Sequence, residues 1–423
     1  MHIIQKYEHE AILIGSQGFT RSHWQALIKL NEKHQNKYFD ILHNGIKLKH
    51  YVGVIQVNNL LIEILPKTDK NSGNEPWKKV LLQMLKATGK LKVETSGNAL
   101  VRRQNLNLLE IYFLTFLQET ELLIRQGLIK QYRKNTANTK ALKGKLDFAG
   151  NIRHNLLHKE RFYTRHQVYD IDHLLHHILR LALKIVQDFS NGTSLKAYTN
   201  RLLLSFSELT HSKITPEILQ KINFNRKSHH YKKAFELARL IILNYSPDIT
   251  GGADKMMSIL FDMNELWERY ILKTLQKTVN NNQKFKHWEV IGQESKTFIG
   301  NRYLQPDIIL RNKQTDEVYI LDTKWKKRTG TPADISDLRQ MYAYGRFWKA
   351  TKLILLYPSG ELKTGKFQLF KSDDFLANGK PVKHYCKTSC IPVMNKKGEL
   401  ARETGENILN LFNLSSTKEI QIT

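Results

Sequence analysis

The chain has 423 residues and a formal net charge of +27, from 66 lysines and arginines against 39 aspartates and glutamates. Hydrophobic residues make up 41% of it, which is too large a share for a disordered protein and enough for packed cores. The length predicts two or three domains, and the charge favours a polyanionic partner, with nucleic acid as the leading candidate. Charge alone leaves open a soluble protein that is simply basic.

Neither a secretion signal nor a membrane segment is predicted. Residues 1–8 lack the apolar core of a signal peptide, and no apolar run approaches the roughly 18 residues of a membrane span. The only cysteines are Cys386 and Cys390, which cannot complete a tetrahedral zinc site even with His384. Such low cysteine use suits a reducing compartment, so we expect a cytoplasmic protein.

The N-terminal part predicts a β-rich domain over residues 1–165, in a chain that is α+β overall. Strands rich in β-branched and aromatic residues are predicted at Ala11–Ile14, Tyr38–Leu42, Ile46–Lys49, Tyr51–Val57 and Leu60–Leu65. The last two form a hairpin, because a two-residue polar turn separates them. Helices are predicted at Ser22–Lys33, Trp77–Thr88 and Asn107–Gly127.

A basic stretch, Lys130–Lys145, follows the third of these helices. It contains six basic residues and no acidic one. Such a stretch is typical of a solvated loop, but it could instead dock on phosphates or on an acidic partner surface. In the second case Lys134, Lys140 and Lys143 are the candidate contacts.

Residues 166–250 predict a helical connecting region, with helices at Leu174–Phe189, Lys196–Leu209 and Ser228–Leu243. His173, His176 and His177 lie close together in it. No carboxylate-bearing metal motif such as H-E-x-x-H accompanies them, so we do not expect a metal there.

The remaining residues, 251–423, predict an α/β domain with a C-terminal extension, and its centre is the segment Pro306–Lys324. Two apolar runs flank a polar turn in this segment, which predicts two paired strands. Asp322 and Lys324 then share one face of the second strand, and Asp307 begins the first. Two carboxylates and an ammonium at one point predict a Mg²⁺ site, because carboxylate oxygens are the ligands that this ion prefers. The alternative is a surface hairpin with a salt-bridged lysine.

A glycine-rich segment after these strands imitates a nucleotide-binding loop. Residues 360–366 fit G-x-x-x-x-G-K, but Phe367 stands where Ser or Thr would bind Mg²⁺, and Lys366–Phe370 has the pattern of a strand. We therefore predict a hairpin turn and expect this chain to bind no nucleotide.

The segment resembles the signature of the PD-(D/E)XK nucleases, as Pro306-Asp307 followed by Asp322-Thr323-Lys324. Gln340 and Tyr344 resemble the QxxxY element of their RecB-like branch, and Glu268 lies in a predicted helix where that superfamily often places a supporting glutamate. Two further runs, Ile62–Lys67 and Leu142–Leu146, resemble signatures of McrC, the nuclease subunit of McrBC-type 5-methylcytosine-specific restriction systems.

This resemblance covers nearly the whole chain and implies both an activity and a partner. Asp307, Asp322 and the Thr323 carbonyl would bind Mg²⁺ (or Mn²⁺) with support from Glu268, and Lys324 would orient the attacking water. Gln340 and Tyr344 would buttress the site. The implied partners are DNA and McrB, a hexameric AAA+ GTPase that the subunit stimulates. A standalone RecB-like or CRISPR-type nuclease, or a catalytically silent DNA-binding subunit, remains the alternative.

Overall fold

The structure, a computed structural model, describes residues 2–66, 74–91, 106–210, 212–246, 255–326, 333–371 and 383–413. Contacts within the chain define two compact units. The first contains residues 1–55, 59–92 and 260–423, and the second contains residues 56–58 and 93–259. Helices and mixed sheets occur throughout, so the predicted α+β class is confirmed.

The elements of the N-terminal 90 residues are β1 (His2–Tyr7), β2 (Ala11–Leu13), α1 (Arg21–Lys33), β3 (Phe39–Leu42), β4 (Gly45–Leu48), β5 (Tyr51–Val57), β6 (Leu60–Leu65) and α2 (Asn74–Ala87). Strands β5 and β6 have the predicted bounds and are hydrogen-bonded neighbours. Strand β1 was not predicted, and it pairs in parallel with β6. Every residue of β6 is buried, including Glu63, which binds Lys78 and Gln5.

These N-terminal elements contact the C-terminal part of the chain, which the predicted division at residues 165 and 250 does not anticipate. The indole N–H of Trp325 donates to Glu8 Oε1 at 2.7 Å, and Lys79 Nζ lies 2.8 Å from Glu399 Oε1. The backbone N–H of Leu400 donates to the side chain of Gln83. Because these partners are more than 300 residues apart in sequence, no local pattern could indicate the grouping.

The second unit contains α3 (Leu108–Gln126), β7 (Gln131–Thr139), β8 (Lys145–Leu146), α4 (Phe148–Asn155), β9 (Phe162–Asp170), α5 (Leu174–Phe189), α6 (Leu195–Leu204), α7 (Pro216–Gln220), α8 (Lys232–Asn244) and β10 (Tyr245–Ser246). Helix α3 begins after the side-chain cap Asn107 and ends at Gly127, whose φ of 89° is in the left-handed region. The predicted bounds of α3 are confirmed.

The basic stretch is the main correction to the predicted elements, because it is not a loop. Residues Gln131–Thr139 form β7, which pairs with β9 in antiparallel register along its whole length. Its residues alternate between exposed and half-buried. That alternation is weak in the sequence, because the half-buried positions carry polar side chains and Ala137 rather than large apolar ones.

After β11 (Met256–Asp262) the chain forms α9 (Met263–Asn281), β12 (Trp288–Gly292), β13 (Lys296–Ile299), β14 (Arg302–Leu304), β15 (Ile308–Asn312), β16 (Val318–Thr323), α10 (Ile335–Trp348), β17 (Lys352–Ser359), β18 (Lys363–Thr364), β19 (Gln368–Leu369), β20 (Tyr385–Pro392) and α11 (Thr404–Leu411). Seven of these strands form one sheet, in the order β12-β15-β16-β17-β20-β18, with β19 paired to β20. Strands β15 and β16 are antiparallel, whereas β16, β17 and β20 are parallel.

Helix α10 is the crossover between the parallel strands β16 and β17 and lies on one face of this sheet. Its residues Met341, Tyr344 and Trp348 pack on a buried cluster that includes Ile320 and Leu355. The glycine-rich segment before Phe367 leads into the short strands β18 and β19, each paired with β20. Through residue 371, where the described part of this segment ends, the chain forms no helix after it that could present backbone N–H groups to a phosphate, as a nucleotide-binding loop requires.

Candidate active site

Pairing of β15 with β16 brings Asp307 beside Asp322 and Lys324. Ile308 at the start of β15 is opposite Leu321 near the end of β16, so residue 307 lies beside the end of the neighbouring strand. Asp307 Oδ2 accepts hydrogen bonds from the backbone N–H and the hydroxyl of Thr323, at 2.7 and 2.9 Å. Lys324 Nζ lies 2.8 Å from Asp322 Oδ2. The two predicted carboxylates and the predicted ammonium therefore meet at one edge of the sheet.

Asp322 is the most deeply buried of these groups, with 1% of its surface exposed. It lies two residues after Ile320 on β16, so both side chains are on the same face, toward the apolar layer beneath α10. Its Oδ1 is buried without a hydrogen-bond partner. Burial, reinforced by the nearby charge of Asp307, raises the pKa of Asp322 to about 7, although Lys324 acts in the opposite direction. Lys324 therefore offsets only part of the cost of burying a charged carboxylate in this position.

Lys324 connects the carboxylates to helix α10. Burial lowers its pKa, but the surrounding carboxylates, with Asp322 first, outweigh this effect and raise the pKa overall. The lysine therefore remains protonated at neutral pH. Its ammonium donates to Gln340 Oε1 at 3.2 Å and lies 4.0 Å from Asp337 Oδ1.

Gln340 and Tyr344 lie one turn apart on α10, on the side of the helix that contacts the site. Gln340 Nε2 donates to the Tyr344 hydroxyl at 2.6 Å, and that hydroxyl donates to the backbone carbonyl of Gln305 at 2.9 Å. Burial and then the charge of Asp322 raise the pKa of Tyr344, so its hydroxyl stays protonated. These bonds fix the side-chain amide of Gln340 with its oxygen toward Lys324.

Glu268 approaches the site from helix α9. Its Oε1 accepts a hydrogen bond of 2.7 Å from Gln293 Nε2. Burial, followed by repulsion from Asp307, raises the pKa of Glu268 to about 7. The backbone N–H of Gln293, which has a positive φ of 55°, donates to the carbonyl of Asp307. One residue thus positions both Glu268 and Asp307.

Three residues that were not predicted from the sequence support the site: Gln293, Gln305 and Asp337. Asp337 is buried and lies between Lys324 and Lys326, with its Oδ2 at 2.7 Å from Lys326 Nζ. Its spacing of three residues before Gln340 on one helix was the available signal. No sequence signal pointed to the two glutamines, since they act largely through backbone groups at the ends of β12 and β14.

The carboxylates of Asp307 and Asp322 fit a Mg²⁺ ion to which the protein contributes only a few ligands. Within the described residues, no group of three or more histidine, cysteine or acidic side chains lies close enough to enclose a metal. Asp307 and Asp322 nevertheless offer two carboxylates, one with an unpartnered buried oxygen. Mg²⁺ usually keeps several waters and takes one or two protein carboxylates together with substrate phosphate. The Thr323 carbonyl and Glu268 remain predicted contributors.

The histidine cluster has protein partners. His176 Nδ1 lies 2.6 Å from the Ile171 carbonyl, and its Nε2 lies 3.0 Å from the Tyr231 hydroxyl. His177 pairs with Asp172 at 2.9 Å. These bonds account for the cluster as part of the packing of α5.

The C-terminal cysteines and the candidate partner-binding lysines lie in different parts of the chain. His384 Nδ1 is hydrogen-bonded to the Ala350 carbonyl, and burial raises the pKa of Cys386 to about 12. The remaining predicted contacts, Lys134 on β7 and Lys140 and Lys143 after it, are exposed in the second unit.

Removing the charge of Asp322 is expected to stabilise the metal-free chain at pH 8. The folded-state pKa of about 7 lies above the ordinary value near 4, so the wild type loses stability as pH rises through that window. Asp322→Asn carries no charge and avoids this loss. We expect its Tm in EDTA to exceed the wild-type Tm by several degrees at pH 8, with a smaller difference at pH 4.5. A lower Tm at pH 8 than the wild type would contradict the burial argument.

Comparison with known proteins identifies the family. The family described as "McrBC 5-methylcytosine restriction system component" matches residues 46–358. The type IV methyl-directed restriction enzyme EcoKMcrBC of Escherichia coli (strain K12) is 21% identical over 231 residues, which cover 52% of this chain and 65% of that protein. The chain therefore spans just under two thirds of this curated relative.

Solved structures show the same fold. A chain in the tetradecameric assembly of Thermococcus gammatolerans McrB AAA+ hexamers with bound McrC has a TM-score of 0.70 at 21% identity, with 97% of this chain and 99% of that chain covered. A chain of the T. gammatolerans McrBC complex matches with a TM-score of 0.50 at 24% identity, over 64% and 87% of the two chains. Among the described residues, no helix is long and apolar enough to cross a bilayer. Since the family match covers more than half of the sequence, the chain belongs to the family of McrBC 5-methylcytosine restriction system components.

Proposed function

We propose that this chain is the McrC-type subunit of a modified-cytosine restriction system, a PD-(D/E)XK nuclease that cleaves DNA with Mg²⁺ or Mn²⁺ and stimulates an McrB-like AAA+ GTPase. The observation that carries the proposal is the buried, under-partnered carboxylate of Asp322 between Asp307 and Lys324. A structural salt bridge would not require a second carboxylate that raises the pKa of the first. A phosphodiester-cleaving metal site does require this set of groups.

The residues of the chain divide the work of hydrolysis. A divalent ion, when bound, would supply positive charge to stabilise the phosphate as negative charge develops on it. Asp307 and Asp322 would hold that ion, and Thr323 fixes the orientation of Asp307 through two hydrogen bonds. Lys324 would orient the attacking water by donating a hydrogen bond to it. Gln340 fixes the position of the Lys324 ammonium by accepting a hydrogen bond from it, and the Gln340 amide is in turn fixed by its hydrogen bond to Tyr344.

Glu268 is suited to accept a proton from that water. In the metal-free chain its pKa is about 7, and a bound cation nearby would lower that pKa and favour the carboxylate form that a general base needs. Gln293 holds the carboxylate in place by a hydrogen bond to one of its two oxygens.

A surface of the second unit has the features of a partner contact. Lys134, Lys140 and Lys143 are exposed there, and helix α4 carries an exposed apolar stripe. The stripe consists of Phe148 and Ile152 on α4 and of Leu156 and Leu157, which directly follow the helix, each at least 64% exposed. Apolar side chains of this size beside basic ones favour a protein partner with an acidic rim over a purely solvated surface.

Neutralising the three lysines together should weaken GTPase stimulation while leaving the nuclease site unchanged. Lys134→Gln, Lys140→Gln and Lys143→Gln remove positive charge that speeds docking on an acidic surface, so the loss should be larger at low salt. Asp307→Ala should retain stimulation and lose cleavage, because Asp307 belongs to the first unit. The measurement is GTP turnover by the AAA+ partner with each full-length variant at matched concentration.

A variant with Gln at Lys213, Lys221 and Lys227 is the matched control, since these lysines are also exposed in the second unit. Equal stimulation by the two triple variants would remove β7 and its turn from the interface. Loss of stimulation by folded Asp307→Ala would overturn the division of labour. Modification-independent cleavage that needs no GTPase would favour the standalone nuclease, and DNA binding without any cleavage would favour the silent subunit.

A further inference from the structure

Strands β13 and β14 form a short hairpin that precedes Asp307 in the sequence. Among the strands of the described residues, β13 and β14 pair with each other alone, outside the seven-stranded sheet. Thr297, Phe298 and Ile299 are consecutive and all exposed, so side chains on both faces of β13 are accessible. The Phe298 ring contacts the Phe347 ring of α10 and still has 53% of its surface exposed. An isolated two-stranded hairpin is marginally stable in water, and burial of apolar side chains against another surface is what usually stabilises it.

The base of the hairpin is nevertheless fixed to the end of helix α10. Lys296 Nζ donates to the Phe347 carbonyl at 3.0 Å and lies 4.8 Å from the centre of the Trp348 ring. Trp348 also donates to Glu294, which in turn pairs with Arg311. The register shifts between Thr297 and Ile299, so a bulge turns this part of β13. The hairpin is therefore anchored at its base, while its tip projects.

The tip is apolar and basic. Ile299 is 67% exposed, Tyr303 is 64% exposed, and Arg302 between them is exposed as well. Residues 295–306 contain no acidic residue, and both oxygens of the flanking Glu294 already have partners. Aromatic and aliphatic side chains around an arginine are the combination with which proteins pack on bases and sugars while binding phosphate.

The hairpin also has a fixed position relative to the candidate active site. Only three residues separate Tyr303 from Asp307, and Gln305 within that link binds both Tyr344 and Gln293 through hydrogen bonds. A polymer bound at Asp307 and Asp322 would therefore pass close to β14. If the substrate is DNA, the nucleotides beside the cleaved phosphate are the nearest partner for the tip.

We propose that the β13–β14 hairpin is a DNA-binding element that holds duplex DNA next to the phosphate to be cut. Arg302 contacts a phosphate, and Tyr303 and Ile299 pack as an apolar wedge against sugars and base edges. This inference rests on the proposed nuclease function, which it extends from the metal site to the substrate. It also gives a reason for keeping exposed apolar side chains on an isolated strand pair, which would otherwise invite aggregation.

The test separates the two contributions by their dependence on salt. Binding of a fluorescent DNA duplex is measured for the full-length chain carrying Asp322→Asn, which binds without cutting. Adding Arg302→Gln should reduce the slope of log affinity against log salt by about 0.9, the value for one phosphate contact. Adding Tyr303→Ser with Ile299→Ser should weaken binding at least about fivefold at every salt concentration without changing the slope.

Leu362→Ser with Lys363→Gln is the matched control. Both residues are exposed at the β18 end of the seven-stranded sheet, away from the β13–β14 hairpin in sequence. The control should leave affinity unchanged, and every variant should keep the parent's Tm within about two degrees, as expected for surface substitutions. In the cleavage-competent chain the hairpin substitutions should slow cutting at low DNA concentration by the same factor as they weaken binding. GTPase stimulation should remain at the wild-type level.

Unchanged affinity and slope in both hairpin variants would overturn the inference. So would a loss of GTPase stimulation without a loss of DNA binding, which would assign the tip to the AAA+ partner. A change in molar mass on substitution would assign it to a second copy of the chain. A chain that binds DNA through the hairpin but never cuts would overturn the nuclease and leave the hairpin standing, whereas a chain that binds no duplex would overturn both.

Discussion

Replacing Asp322 with alanine should reduce DNA cleavage at least about a hundredfold, the size of effect expected when a metal ligand or positioned catalytic group is lost. The reason is that alanine removes one of the two carboxylates proposed to hold the ion, and a neutral water in the vacated space would not replace its negative charge. Asp307→Ala and Lys324→Ala should have effects of the same order. The assay measures cleavage of modified plasmid DNA with the AAA+ partner, GTP and Mg²⁺ present.

Asp316→Asn is the appropriate control for these substitutions. Asp316 is an exposed carboxylate in the turn between β15 and β16, at the opposite end of the same two strands from Asp307 and Asp322. Its positive φ of 55° is readily adopted by asparagine, so the fold should be unaffected. Wild-type cutting by Asp322→Ala would exclude the proposed site. Equal losses in Asp322→Ala and Asp316→Asn would show that the pairing of β15 with β16, rather than the Asp322 carboxylate, had been disturbed.

Removal of divalent metal should abolish cleavage, and Mg²⁺ or Mn²⁺ should restore it. The site offers carboxylate oxygens and neither thiolate nor imidazole, so hard divalent ions are favoured. Chelation also deprives a GTPase of its Mg²⁺, so loss of cleavage in EDTA does not by itself locate the metal. Binding to the isolated chain does so, because a ligand that binds only the folded state raises its Tm as its concentration increases.

We therefore expect Mn²⁺ to raise the Tm of the isolated wild-type chain at pH 8 in a concentration-dependent way. The rise should be smaller at pH 6, because Asp322, with a pKa of about 7, must lose its proton before it binds a cation. Asp322→Asn should show little response at either pH, and Asp316→Asn should respond as the wild type does. Cleavage that continues undiminished in chelator, or the same metal response in Asp322→Asn, would mean that the carboxylates have another role.

Several features of this chain were predictable because their causes are local. The hairpin of β5 and β6 follows from two apolar runs across a two-residue turn, and helix α3 from a cap, an apolar periodicity and a terminal glycine. The proximity of Asp322 to Lys324 required only the two-residue repeat of a strand. The order of Glu268, Asp307, Asp322, Lys324, Gln340 and Tyr344 suggested one site because it resembled a known pattern.

The features that were missed depend on residues distant in sequence. Strand β1 is placed by parallel pairing with β6, and β7 by pairing with β9, while polar side chains conceal the alternation of β7. The N-terminal 90 residues belong with the last 160 through buried contacts such as that of Glu8 with Trp325.

Around the site, sequence determined which chemical groups are available, and tertiary structure decided their state. Asp322 is an ordinary carboxylate in the sequence, and its raised pKa results from the apolar layer under α10 and from Asp307 beside it. Gln293 and Gln305 take part because the ends of β12 and β14 meet there, a consequence of strand pairing that composition does not encode. Desolvation and the distance between charges depend on the packed chain, and these two quantities make the cluster a candidate metal site rather than a surface salt bridge.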